Sequence, residues 1–279
     1  MTVHARTPSR TLTRVRALII AGHAGPSLAI TALATLLAPS GPDLVLAAVA
    51  MLAGQLSIGW SNDAADAGRD AAVGRTDKPV AAGTVSVRTA WIAAFAALAV
   101  ALVSALAISP LTASLLAVIV GAGWIYNLRL KSTPASALMY LLGFGPIPAY
   151  AASTLPGQPM PAWYATAAAA LVGLGGHFAN VLPDLAADRA TGVNGLPQMV
   201  GARWGARSVR VLALVFLLSA SVLLVPASGF HRIAVVGLGV AALLALVGAL
   251  GKGRVPFAAA FGIAAVDVVL LVVVGYAQT

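Results

Sequence analysis

The sequence is short of charge and contains no cysteine. Only 9% of its residues are charged and 60% are hydrophobic, whereas soluble globular domains contain about 25% charged residues. A surface with so little charge could not keep the chain in water, so the composition predicts a membrane protein. The absence of cysteine excludes a disulfide framework and thiolate chemistry.

Glutamate is also absent, and the eight acidic residues are all aspartates. Asp43 and Asp267 stand alone in the sequence. The other six fall in two short stretches, with Asp63, Asp66, Asp70 and Asp77 in the first and Asp184 and Asp188 in the second. Because the chain avoids acid elsewhere and concentrates it twice, we expect both stretches to hold a positively charged ligand.

Apolar runs of about 20 residues, long enough to cross a bilayer as helices, occupy most of the chain. We identify nine of them, at 17–38, 44–63, 88–108, 110–127, 135–153, 162–182, 208–226, 231–250 and 255–276. The break at Pro110 is the weakest, since proline can also kink a single helix. The sequence therefore predicts an all-α polytopic membrane bundle of nine transmembrane helices, in one domain spanning 1–279.

The distribution of basic residues predicts the orientation of these helices. With a cytoplasmic N-terminus, every basic residue except Arg232 lies on the cytoplasmic side, as the positive-inside rule requires. We expect a protein of the cell membrane with a cytoplasmic tail over 1–16, cytoplasmic loops over 64–87 and 183–207, and an outside C-terminus. This topology accounts for the net charge of +9, so no nucleic-acid partner is predicted.

The two acidic stretches share one pattern: Asn, three residues, Asp, three residues, Asp. The pattern consists of Asn62, Asp66 and Asp70 in the first cluster, and of Asn180, Asp184 and Asp188 in the second. Residues four apart share one face of a helix. Pro183 is expected to kink the second helix but to leave its two aspartates aligned.

Like charges one turn apart repel each other, and a divalent cation relieves that repulsion. Carboxylate and amide oxygens favour magnesium over zinc, and magnesium completes its shell with substrate phosphates. The two clusters therefore predict a diphosphate that bridges two magnesium ions. The alternative, acids that are only solvated helix ends at the membrane surface, is reasonable for one cluster but not for two of identical spacing.

Residues near the clusters are candidates for binding the same diphosphate, because Arg and Lys can clamp phosphate oxygens. They are Arg69, Arg75, Lys78, Tyr126, Lys131 and Arg189, and the basic ones are alternatively plain cytoplasmic anchors. Asp63 is out of register with the other ligands and could be their partner, a base or an interfacial acid. His177, one turn deeper than Asn180, is a candidate contact for an acceptor. Asp267 lies near the middle of the ninth run, where a charge costs at least about 2.5 kcal/mol, so it is expected to be protonated or paired.

These motifs resemble those of the UbiA superfamily of intramembrane prenyltransferases. The first cluster and its continuation through Ser86 are similar to that family's first Asp-rich motif, and the second cluster through Gly201 is similar to the second motif. The segment from Tyr126 to Lys131 is similar to the short motif between them. Two positions depart from many members: Lys78 replaces an arginine, and Ser132 replaces a second basic residue.

The resemblance implies a helical bundle around a central cavity open to lipid. It implies an enzyme that moves a prenyl group from a prenyl diphosphate to an aromatic or other lipophilic acceptor. It also implies a site with two Mg²⁺ ions, whose metal ligands are Asn62, Asp66, Asp70, Asp184 and Asp188 and whose diphosphate contacts are Lys131, Lys78 and Tyr126. A terpene cyclase on the same scaffold stays open, because the same metals would ionise the same substrate. A transporter is disfavoured, since transporter sites lie near the membrane midplane.

Overall fold

The computed structural model describes residues 10–38 and 42–274, and this part of the chain contains helices and no strands. The predicted tail up to residue 9 and the end of the ninth run, 275–276, lie outside the described residues. The helices are α1 (Arg10–Ala21), α2 (Ala24–Leu36), α3 (Leu44–Ala72), α4 (Val87–Ile108), α5 (Pro110–Ile125), α6 (Ser136–Phe144), α7 (Ile147–Ala152), α8 (Trp163–Val181), α9 (Leu185–Ala190), α10 (Leu196–Trp204), α11 (Ala206–Ala227), α12 (Arg232–Leu250) and α13 (Val255–Val274). A π-helical turn, Tyr126–Leu130, follows α5 directly. The all-helical prediction is confirmed.

Six of the described helices are long and apolar enough to cross a membrane: α3, α4, α5 with the π-helical turn, α11, α12 and α13. The pair α1 and α2, bent by 57°, makes a seventh if the two are one span. The predicted runs 135–153 and 162–182 contain α6 with α7 and α8, which are not among these six. An integral membrane protein is therefore supported, whereas the count of nine crossings stays a prediction.

Serine caps mark the starts of α4 and α5, and a proline follows the second cap. Ser86 and Ser109 each accept a hydrogen bond from the backbone N–H three residues later, at 3.0 Å in both cases. Pro110 is the first residue of α5, where a helix does not need the N–H that proline lacks. The break at Pro110 therefore separates two helices and is not a kink within one.

α3 extends well beyond the length that a membrane crossing requires. It contains 29 residues, whereas about 20 are enough to cross a bilayer. Its last turns carry the first acidic cluster, so the predicted loop 64–87 begins as helix and leaves it only after Ala72. Arg69 Nη2 lies 2.7 Å from Asp66 Oδ1. This i,i+3 ion pair stabilises the extension of α3.

Glycines let the helices that carry the two clusters pack closely against their neighbours. A Cβ atom on Gly54 of α3 would lie 2.7 Å from Val120 of α5, and one on Gly175 of α8 would lie 2.5 Å from Leu217 of α11. Membrane helices associate through such close contacts. α3 also packs against α2 and α4, and α8 against α6 and α13, so the bundle fixes the positions of both helices.

Candidate functional site

The first cluster lies on the extended end of α3. Asp66 and Asp70 are only 7% and 9% exposed, and together with Asn62 they line a cavity of about 250 Å³. The amide of Asn62 donates a hydrogen bond to Oδ1 of Asn127 in the π-helical turn, at 3.1 Å. Asn127 in turn donates to the carbonyl of Ile58, at 3.0 Å. These bonds fix the π-helical turn against α3, and such turns recur at functional sites.

The second cluster lies where α8 ends and α9 begins. Asn180 is in the last turn of α8, and Asp184 immediately precedes α9. The N–H of Asp188 donates to the carbonyl of Asp184 at 2.8 Å, so the two side chains stay one helical turn apart despite the break at Pro183. All three side chains of the pattern line the same cavity as the first cluster. The structure thus brings the two clusters together.

Basic side chains from separate segments reach the same cavity. Lys131, directly after the π-helical turn, forms an ion pair with Asp66. Arg75 donates two hydrogen bonds to Asp77, both at 2.9 Å, which lower the pKa of Asp77 and raise the pKa of Arg75. An exposed pair of this kind contributes little to stability, but it holds the Arg75 guanidinium at the edge of the cavity.

Most of the predicted site residues therefore meet at one place. Those that line the cavity are Asn62, Asp66, Arg69, Asp70, Arg75, Lys78, Tyr126, Lys131, Asn180, Asp184 and Asp188. Asp63, His177 and Arg189 do not line it. His177 is buried with its Nε2 atom 3.0 Å from Ser136 Oγ, and its ring stacks on Tyr140 at a centroid distance of 4.1 Å. Tyr140 itself lines the cavity, so its ring is the part of this stack that a ligand can reach.

The cavity also contains residues that the sequence did not indicate. Gln198 of α10 donates a hydrogen bond to Oδ2 of Asp188, at 2.7 Å. Burial raises the pKa of the Asp188 carboxyl, an effect that the Gln198 bond opposes and the charge of Asp184 increases. Tyr140 packs edge-on against Tyr126, with ring centroids 5.3 Å apart. No spacing rule links these two residues to the clusters, because the fold and not the local sequence brings them there.

The donor atoms in the cavity fit magnesium better than a metal that needs a cage of side chains. Among the described residues, no three His or Asp side chains lie close enough to enclose an ion by themselves. Magnesium requires only one or two carboxylates when water and phosphate oxygens complete its shell. Asp66 and Asp70 are buried carboxylates, whose charge a bound cation would stabilise. The site thus offers oxygen ligands from two sides and leaves coordination positions for a phosphate group.

Comparison with known proteins identifies the class of protein that this fold and site define. A model of the UbiA prenyltransferase family matches residues 24–254, a range that includes both clusters and the π-helical turn. The chain therefore belongs to the UbiA prenyltransferase family. A search of curated protein sequences finds no match.

Solved structures share the fold at low sequence identity. A UbiA homologue from Archaeoglobus fulgidus bound to GPP and Mg²⁺ is 16% identical with a TM-score of 0.65, and the alignment covers 95% of this chain and 99% of that one. A UbiA homologue from Aeropyrum pernix K1 is 21% identical with a TM-score of 0.69, covering 92% and 97%. A digeranylgeranylglyceryl phosphate synthase is 13% identical with a TM-score of 0.66, covering 95% and 99%. At these identities the likeness establishes the fold alone.

Proposed function

We propose that the protein transfers a prenyl group from a prenyl diphosphate to an aromatic or other lipophilic acceptor, with two magnesium ions. One observation carries the proposal: two clusters of carboxylate and amide groups and four basic side chains converge on one cavity. Membership of the UbiA prenyltransferase family supports it. So do the A. fulgidus homologues of the same fold, which bind GPP or DMAPP together with Mg²⁺.

The diphosphate is proposed to lie between the two clusters. The residues that would hold the metal are Asn62, Asp66 and Asp70 on one side and Asp184 and Asp188 on the other. When bound, magnesium supplies Lewis-acid stabilisation of the charge on the leaving diphosphate. The basic residues Lys131, Lys78, Arg69 and Arg75 would donate hydrogen bonds to the phosphate oxygens that the metal does not take.

In the proposed reaction, the bond between the allylic carbon and the diphosphate oxygen breaks, and the diphosphate leaves with the electron pair. A nucleophilic carbon or oxygen of the acceptor forms the new bond and gives its proton to the released diphosphate. Basic side chains already directed into the cavity stabilise the developing charge without reorganisation. Tyr126 and Tyr140 line the cavity, where an aromatic ring can attract the allylic cation. The surrounding apolar bundle keeps out the water that would otherwise capture it.

The remaining parts of the proposal concern the acceptor and the membrane. The acceptor is proposed to enter the cavity from the lipid phase. The whole chain is proposed to form one domain, with both clusters on the cytoplasmic side of the cell membrane. A contact between the acceptor and His177 would require the stacked ring of Tyr140 to move, because Tyr140 separates His177 from the cavity. Arg189, next to Asp188, would act on the diphosphate only from outside the cavity wall.

The proposal is tested with purified protein in lipid nanodiscs, Mg²⁺ and geranyl diphosphate, with a membrane lipid extract as the source of acceptor. Release of diphosphate together with a prenylated lipid detected by mass spectrometry is the expected result. Asp66→Ala and Asp184→Ala should each lower kcat/KM by more than about a hundredfold, the scale of a lost charge-stabilising group. Asp43→Ala, at the other end of α3, is the matched control and should leave kcat/KM unchanged.

Two outcomes would contradict the proposal. Wild-type turnover in a folded Asp184→Ala protein would refute the two-cluster site. Release of diphosphate with a cyclic hydrocarbon as the product would identify a terpene cyclase, in which an internal alkene of the substrate captures the cation. No observation on this chain favours that second reaction over transfer.

A further inference from the structure

Asp63 is the one acidic residue of the first stretch on α3 that does not line the cavity, and its surroundings indicate a different task. Its side chain is 1% exposed, and its Oδ1 atom lies 2.5 Å from Lys78 Nζ and 3.1 Å from His23 Nε2. Lys78 Nζ and His23 Nε2 are themselves 3.3 Å apart. A buried carboxylate without such partners would be strongly destabilising. The three side chains therefore form one polar unit beside the cavity, and Asp63 itself does not line the cavity.

His23 reaches Asp63 because the bend between α1 and α2 packs tightly on α3. A Cβ atom on Gly59, one turn before Asp63, would lie 2.5 Å from the carbonyl oxygen of Gly22, so only glycine permits this approach. Trp60 adds a hydrogen bond from its ring N–H to the carbonyl of Leu18, at 2.9 Å. These contacts fix the position of the bend, and with it the imidazole, relative to the first cluster.

The backbone of His23 is in the left-handed region, with φ 51° and ψ 50°. This conformation is uncommon for residues other than glycine, and strain of this kind concentrates at functional sites. A glycine would adopt this left-handed conformation more easily, but it has no side chain that could pair with Asp63 as His23 does.

Lys78 belongs to both the polar unit and the cavity. Its ammonium group pairs with Asp63, yet its side chain lines the cavity between the clusters. The loop backbone around it is also ordered: Pro79 accepts hydrogen bonds from the N–H groups of Thr84 and Val85, at 3.0 and 3.2 Å. Val85 is buried against α1 and α3. A long lysine side chain loses rotamer entropy when it is fixed, and here the fold imposes that cost before any ligand binds.

We propose that Asp63 and His23 are positioning residues that hold the Lys78 ammonium group ready for the diphosphate. The inference rests on the proposed function, and it gives Asp63 a role different from that of the aspartates that line the cavity. Asp63 acts through Lys78, so removing its charge matters only while Lys78 is present. Because His23 comes from the bend between α1 and α2, the same contact joins the N-terminal helices to the diphosphate end of the cavity.

A double-mutant cycle with Asp63→Asn, Lys78→Met and the combined variant tests the inference. The readouts are the Kd of geranyl diphosphate with Mg²⁺, measured by calorimetry, and kcat/KM. Asp63→Asn is expected to lower kcat/KM by about tenfold in the presence of Lys78, and by less than about twofold in the Lys78→Met background, the non-additivity typical of contacting residues. Asp43→Asn, the same substitution at the other end of α3, should change neither quantity. His23→Gln, which keeps a donor for Asp63, should retain more activity than His23→Ala.

Thermal unfolding separates positioning from simple loss of structure. Lys78→Met leaves the buried Asp63 carboxylate without its lysine and should lower the unfolding temperature by at least about 5 °C. Adding Asp63→Asn should restore stability but not activity, a combination that a purely structural role of Lys78 cannot produce. Equal effects of Asp63→Asn on kcat/KM in both backgrounds would overturn the inference alone. A wild-type protein that neither binds nor ionises geranyl diphosphate would overturn the proposed function itself, and this inference with it.

Discussion

At the scale of single residues, the ion pair between Lys131 and Asp66 directly links the basic and the acidic side chains of the site. The two residues are 65 positions apart in the sequence, and the π-helical turn brings Lys131 to the end of α3. Asp66 also pairs with Arg69. A diphosphate with its magnesium ions can replace these ion pairs. Lys131 and Arg69 would then bind phosphate oxygens, and the Asp66 carboxylate would bind magnesium.

The role of Lys131 can be measured directly. Lys131→Met should lower kcat/KM for the prenyl diphosphate by about tenfold to a thousandfold, because the charge that Lys131 stabilises is larger in the transition state than in the substrate. Lys131→Arg should recover part of the activity, since the charge survives with a different geometry. The matched control is Arg129→Met, in the π-helical turn that precedes Lys131 but outside the cavity lining. Unchanged kcat/KM in a well-folded Lys131→Met protein would remove Lys131 from the site.

Residue spacing predicted the part of the site that lies on regular helix and missed the part that the fold assembles. Asn62, Asp66 and Asp70 share a face because they are four residues apart, and they do line one cavity. Asp63 was visibly out of register, but its partner His23 lies 40 positions away and could not be inferred. No residue spacing indicates Gln198 or Tyr140. Gln198 lies within the segment through Gly201 that resembles the second motif, but nothing singles it out there, and a tyrosine in an apolar run is an ordinary residue.

At the scale of helices, apolar runs located the segments but not their internal breaks. The first run, 17–38, contains the end of α1, a bend at Gly22–His23 and α2. α2 has 13 residues and is therefore only about 20 Å long. The run 135–153 likewise contains two short helices, α6 and α7, on either side of Gly145 and Pro146. Hydropathy does not report such breaks, because a proline such as Pro146 can interrupt a helix within a run that stays apolar.

The packing of the bend on α3 predicts a contrast between two glycines of the same helix. Gly59→Ala would push a methyl group against the backbone of Gly22, which cannot rotate away, so it should destabilise the protein by about 1–3 kcal/mol. Gly68→Ala meets nothing within 4 Å and should be neutral or stabilising by up to about 1 kcal/mol through helix propensity. Thermal unfolding of both variants in detergent measures the difference. Equal unfolding temperatures would mean that the bend does not pack on α3 as described.

At the scale of the whole molecule, the charges and the cavity argue for the same orientation. The cavity lies at the end of the bundle that carries Arg69, Arg75, Lys78 and Lys131, and basic residues gather on the cytoplasmic side of membrane proteins. Arg232 starts α12, and in the nine-crossing arrangement it alone among the basic residues lies outside. A water-soluble prenyl diphosphate head group would then meet the site from the cytoplasm, while its hydrocarbon chain stays in the bundle.

The outside C-terminus of the nine-crossing arrangement requires an odd number of crossings, which reporter fusions can count. Reporters placed after Ser40, Leu155 and Thr279 should be outside the cell, and those after Gly74, Thr133, Asn194 and Gly253 should be inside. The reporter after Leu155 decides whether α6 and α7 cross together, because the pair is shorter than a standard span. If they form a re-entrant segment and do not cross, the reporter after Leu155 would be inside. α8 would then have to start and end on the cytoplasmic side. An inside reading at Thr279 with an outside reading at Ser40 would refute nine crossings, whereas the alternating pattern would support both the count and a cytoplasmic diphosphate site.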